Sequence, residues 1–146
     1  MLKAMYSNRL LAFVLLIVVS GIALAETVNI NPHKIVLNAQ GASDDVQANV
    51  HIVLPGSLVE DFDVTLALDG IKVAEAESAF YCVLDDILIV GFDRTDLQNN
   101  EDVQDMANTT VTATVTGWVL MAGEVEPKSF SGTDLVEIVA PGKNGK

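Results

Sequence analysis

Carboxylates supply the most concentrated chemistry in this sequence. Asp93, Asp96, Glu101, Asp102 and Asp105 fall in one short stretch, with Asn99 and Asn100 among them. Calcium takes about six to eight oxygen ligands, which carboxylates and amides provide, so Asp93, Asp96, Glu101 and Asp102 form a candidate calcium set. The spacing lacks the D-x-[DN]-x-[DN]-G opening of an EF-hand, and the competing reading is a solvated acidic loop. Asp61-Phe62-Asp63 and Asp85-Asp86 pose the same alternative on a smaller scale. Paired carboxylates can also cleave glycosidic bonds, but only at a fixed separation across a sugar cleft and with one pKa raised. The sequence presents neither condition, and no catalytic constellation stands out.

The remaining reactive side chains are isolated. His33 and His51 have no HxH or HxxxH partner, so zinc is not expected. Cys82 is the sole cysteine and sits between Tyr81 and Val83, where a free thiol behaves as a small buried hydrophobe. An intermolecular disulfide is the alternative, and no histidine is placed to make it a nucleophile. Trp118, Tyr81 and Phe130 are candidates for a sugar-stacking surface, set against ordinary packing. Asn108-Thr109-Thr110 is an N-x-T sequon, meaningful where the host glycosylates such sites.

The elements that must position these groups are strands. Val46, Ala48, Val50, Ile52 and Leu54 alternate with Gln47, Asn49, His51 and Val53, the period of two of a strand with one buried face. Phe62 to Leu68 repeats the pattern, and Asp69-Gly70 is a two-residue hairpin signal leading into Ile71-Lys72-Val73. Ala79 to Leu84 and Ile87 to Phe92 are denser apolar runs with Asp85-Asp86 at the bend between them. Thr109 to Met121 is rich in β-branched residues and too long for one flat strand, with Gly117 expected as a bulge or bend. Leu135 to Val139 is the last strand, and only Asp96 to Met106 is open to a helical reading. The expected architecture is all-β: a two-layer antiparallel β-sandwich of about eight strands over residues 26–140, after an N-terminal signal peptide.

Composition bounds the setting. The chain carries 20 acidic and 8 basic residues, for a net charge of −12. Such a field repels phosphate backbones, so nucleic acid is not an expected partner. Residues 1–25 have the order of a secretory signal peptide. Lys3 and Arg9 supply the positive region, Leu10 to Val19 an apolar core, and Ala23-Leu24-Ala25 an A-x-A cleavage signal. The apolar stretch falls short of the roughly 20 residues a membrane span needs, so no span is expected after cleavage. Losing the leader removes two basic residues and no acidic ones, deepening the deficit. Residues 141–146 read as a polar tail.

Several short segments, taken in order, resemble a family of secreted β-domains of bacteria and archaea. Val28-Asn29-Ile30-Asn31-Pro32 and Ile35-Val36-Leu37-Asn38 are similar to its I-D-I-K-P-G-type opening. Val50 to Leu54 and Asp61-Phe62-Asp63-Val64 follow in the same order, as does Ile87 to Phe92 with Asp93-Arg94-Thr95-Asp96-Leu97. Ala113-Thr114-Val115-Thr116-Gly117 resembles its A-T-L-T-G segment, and Gly132 to Val139 its closing G-x-D-x-V-x-I-V strand. The family's calcium-like D-x-N/D-G-D-G loop is replaced here by Val83-Leu84-Asp85-Asp86-Ile87. The resemblance implies an extracellular accessory module and carries no settled activity.

The reading that follows is a secreted, non-enzymatic structural or binding module at the cell surface or in the extracellular matrix. Its expected partners are an extracellular protein or a cell-surface polymer. One alternative is a self-assembling filament subunit whose N-terminal segment, through Val28 and Ile30, adds as a strand to a neighbour. The rival from another class is a small secreted hydrolase. No cofactor is expected apart from the candidate calcium.

Overall fold

The alternation read in the sequence becomes eight strands in the computed structural model, which describes residues 26–31, 33–37 and 45–140. In chain order they are β1 (Thr27–Asn31), β2 (Lys34–Val36), β3 (Val46–His51), β4 (Val59–Leu68), β5 (Ile71–Cys82), β6 (Ile87–Phe92), β7 (Thr109–Met121) and β8 (Lys128–Val139). Two short helices, α1 (Arg94–Gln98) and α2 (Glu101–Asp105), lie between β6 and β7. None of the helices among the described residues is long and apolar enough to cross a membrane. The expected signal peptide and polar tail lie outside the described residues.

The strands run in one continuous order, β1-β3-β6-β5-β4-β7-β8-β2, that nearly closes into a barrel. Every pair is antiparallel except β2 with β8, which departs from the purely antiparallel pairing expected. The cause is the path of the first segment. β1 pairs with β3 from Thr27 opposite His51 to Asn31 opposite Gln47, and after Pro32 the chain crosses to lie along β8. One extended stretch thereby borders both ends of the strand order.

Side chains alternate about one core. Val46, Ala48 and Val50 of β3, Leu88, Val90 and Phe92 of β6, and Val111, Ala113 and Val115 of β7 are fully enclosed, as period-two burial requires. Val28 and Ile30, the residues proposed for donation to a neighbour, are seated in this chain's own core. Asp69-Gly70 makes the expected hairpin with both φ values positive, 47° and 82°, the type I′ conformation that matches strand twist. Asp69 then ties the turn sideways, accepting from the Thr112 N–H at 2.8 Å.

Three expectations are corrected. Ile71-Lys72-Val73 and Ala79 to Cys82 belong to one long strand, β5, whose first half pairs with β4 and whose second half pairs with β6, while Val83 and Leu84 lie in the turn that follows. The register slips between Ala76 and Ser78, so Glu77 is the extra residue of a β-bulge, and bulges bend strands. Gly117 is not a bulge, because β7 keeps register with β4 and β8 through it. A Cβ there would collide with the Asp63 carbonyl, so the glycine serves close strand approach. The helical reading of Asp96 to Met106 is met by two short helices rather than one, the first beginning earlier, at Arg94, and each is capped by a side chain named below.

Closure is made by a few bonds between β1 and β8. The Glu26 N–H donates to the Ser131 carbonyl at 2.8 Å, and the Ile30 N–H donates to Asp134 Oδ2 at 2.7 Å. His33 Nδ1 lies 3.4 Å from the same oxygen, and the Glu137 N–H donates to the His33 carbonyl at 2.8 Å. Gly132 permits the approach, since a Cβ would strike the Glu26 carbonyl and Val28. Replacing Asp134 by Ala leaves the part-buried Ile30 N–H without its acceptor, which costs about 1–3 kcal/mol. Hydrogen exchange of Val28 to Asn31 should accelerate selectively in Asp134→Ala. Unchanged exchange there would show that the carboxylate does not hold the seam.

Candidate functional site

Two regions concentrate chemistry, one charged and one without charge. The first begins at the β5 bulge. Glu77, the extra residue, is directed toward the end of β6 and the start of α1, where its carboxylate, that of Asp93 and that of Asp96 offer oxygen atoms within 4.8 Å of one another. Asp93 is the N-cap of α1 and spends Oδ1 on the Thr95 N–H at 2.7 Å. Asp96 occupies the first turn of that helix. Crowding of like charge has a cost, and the pKa of Glu77 is raised from the ordinary carboxylate value. Loss of hydration is the first cause, followed by the Asp93, Asp96 and Asp45 carboxylates.

The sequence-derived calcium set is thus divided. Asp93 and Asp96 meet, joined by Glu77, which was not in the set. Glu101 and Asp102 stand apart in the first turn of α2, where acidic side chains complement the helix dipole. Asn100 caps α2 by accepting from the Asp102 and Val103 N–H groups at 2.9 and 3.3 Å. Leu97 and Val103 anchor the two helices in the core. Much of what read as a ligand-rich loop is therefore capping chemistry.

The aromatic trio does not form a surface. Tyr81 and Phe130 are buried, whereas Trp118 is half-buried on the outer side of β7, opposite Asp63 and Ser129. Tyr81 instead braces a turn: its hydroxyl donates to Asp86 Oδ1 at 2.9 Å and accepts from the Leu54 N–H at 3.1 Å. Burial is the first cause of its raised pKa. Asn108 of the sequon is exposed in an αL conformation with φ of 62°.

The second region is the outer face of β1, β3, β6 and β5. Registered pairing arranges it in three rows: Asn31-Gln47-Gly91-Ser78, Asn29-Asn49-Ile89-Phe80, and Thr27-His51-Ile87-Cys82. These rows contain no carboxylate, ammonium or guanidinium group, in a chain with 20 acidic residues. One half is amide and hydroxyl, and the other is apolar. Phe80 is 64% exposed, and at the end of this face Val53, Val83 and Leu84 are exposed as well, Leu84 to 95%. Cys82 is half-buried here rather than in the core, its thiol 3.5 Å from Asp85 Oδ2. The Asn29 amide approaches His51 Nε2 at 3.3 Å, so both act locally on this surface. By contrast, the outer side of the opposite strands carries Asp63 on β4 and the pair Lys34 and Glu137, 3.4 Å apart.

The chain matches no protein-family model, no curated protein and no solved structure. The two regions must be judged on their own chemistry.

The raised pKa of Glu77 fixes the sign of a pH effect. The folded state holds this proton more tightly than the unfolded chain, so Glu77 favours folding at pH values below the unfolded pKa. That contribution is lost as pH rises through the raised folded value. Glu77→Gln should therefore melt higher than the parent at neutral pH, and the difference should vanish well below the ordinary carboxylate pKa of about 4.3. A variant that melts lower at neutral pH would contradict the crowding described.

Proposed function

We propose that this chain is an exported, non-catalytic β domain that serves as a binding or structural module at the cell surface or in the extracellular matrix. The uncharged outer face of β1, β3, β6 and β5 is the surface it binds with. We take the two halves of the strand order, which share β5, as the layers of a flattened sandwich, one layer presenting this face. The observation that carries the reading is the exposure of Phe80, Val53, Val83 and Leu84 on and beside a face without charge. A contiguous apolar area on an acidic protein is where association removes most surface from water. The leader-like pattern of residues 1–25 and the ordered resemblance to secreted β-domains support export. Its partner is an extracellular protein or a cell-surface polymer.

Protein recovered from outside the producing cells should begin at Glu26 and sediment with washed cell envelopes. Phe80→Glu should lower the bound fraction about tenfold, the effect of losing a central aromatic contact. Exported protein that retains Met1 to Ala25, or parent protein that does not sediment with envelopes, would overturn the proposal.

A second reading is favoured by one observation, the convergence of Glu77, Asp93 and Asp96. The three carboxylates supply part of a calcium shell, with the remaining ligands drawn from solvent. Calcium at about 1 mM should then raise Tm by mass action, and Asp93→Asn with Asp96→Asn should abolish the gain. Calorimetry showing no shift in the parent would leave the cluster as an exposed acidic patch.

A further inference from the structure

We infer that the uncharged face of β1, β3, β6 and β5 pairs with the same face of a second copy of this chain, across a two-fold axis. This rests on the reading of that face as the binding surface and names its occupant.

Charge selects the occupant first. Two copies of a chain with net charge −12 repel wherever carboxylates face one another. The three rows of this face hold no charged side chain, so here neutral surface meets neutral surface. A basic partner finds no carboxylate within the rows themselves, since those nearest stand at the rim, Asp85 beside the Cys82 thiol, or elsewhere, on Glu77, Asp93 and Asp96.

The polar groups are self-complementary. An isologous interface sets each patch against its own copy. A carboxylate cannot pair with a carboxylate, nor an ammonium with an ammonium. Amides carry donor and acceptor together, so wherever the axis falls among Asn29, Gln47 and Asn49, a donor on one copy can meet an acceptor on the other.

Shape and size agree. β1 with β3 and β3 with β6 keep register without a bulge, which leaves a regular pleated surface. Four strands about 4.8 Å apart, each contributing five or six residues of about 3.3 Å rise, give a footprint roughly 20 Å on a side. That is smaller than the roughly 800 Å² per partner of a long-lived complex. The dimer therefore exchanges with monomer and depends on concentration. Screening of the acidic remainder strengthens it, so salt promotes pairing, the reverse of what salt does to a contact between opposite charges.

Sedimentation velocity of the chain beginning at Glu26, at roughly 0.02 M and 0.5 M salt, tests this directly. The parent should pass from monomer to dimer with rising concentration, at lower concentration in high salt. Phe80→Glu should weaken association about tenfold or more, and so should Ile89→Lys, which places the opposite charge in the same row. Thr112→Lys, on the outer side of β7, should leave it unchanged. Cys82 provides an independent readout that a misfolded variant would not reproduce. Its alkylation should slow as the parent is concentrated, and should be independent of concentration in folded Phe80→Glu. A parent that stays monomeric under all these conditions, or dimers that dissociate in high salt, would overturn self-pairing. If such a monomer still sediments with envelopes and Phe80→Glu does not, the binding face stands and only its occupant is wrong. If Phe80→Glu changes neither property, both readings fall.

Discussion

The contact of β1 with β8 is the constraint on which the architecture turns. Without it, the strand order would end in two raw edges, one at β1 and the other at β2 and the first half of β8, each with unpaired N–H and carbonyl groups. The Ile30 N–H bond to Asp134 and the Glu26 N–H bond to Ser131 occupy the outer edge of β1. The parallel seating of β2 then covers β8. A single short segment with Pro32 at its middle thus blunts both edges, which natural sheets otherwise manage with charges, bulges or covering helices. Val28 and Ile30 enter the core between the β3 ladder on one side and this seam on the other.

Given a nearly closed sheet, the distribution of side chains outside it becomes meaningful. Carboxylates stand at turns, helix starts, the β5 bulge and the outer sides of β4 and β8, where solvent, N–H groups or lysine accommodate them. The ladder rows of β1, β3, β6 and β5 are left to amides, hydroxyls and hydrocarbon. Burial in the core does not require that separation, since the outward positions of a strand are free to carry charge. It gives the domain a surface whose ladder rows add no charge of their own to an encounter.

Legibility in the sequence followed the range of the interactions. Alternation identified β3, β4 and β7, and Asp69-Gly70 identified its hairpin, because both signals are local. The all-β class and the count of about eight strands rest on such signals. The run Ala79-Phe80-Tyr81-Cys82-Val83-Leu84 is apolar at every position, so it could not say that Tyr81 turns inward while Phe80 and Cys82 face out. The bulge at Glu77 sets where that carboxylate points, and its meeting with Asp93 and Asp96 depends on pairing between β5 and β6. Asp93 and Asn100 looked like ligands because the residues that bind cations also cap helices, and Gly117 looked like a bulge because close approach favours glycine too. The parallel placement of β2 depends on β8, a hundred residues away, which no local pattern reports.

The seam also has an order in time. Ile30 and Asp134 lie 104 positions apart, so their bond is among the last that synthesis makes available. Non-local closure of this kind is entropically late and slow. Until β8 arrives, Val28 and Ile30 have only β3 to lean on, and the core remains open along one side. For a chain that crosses a membrane with its N-terminus leading, as proposed here, the domain would stay threadable throughout transit and would seal only after its final strand had cleared the channel.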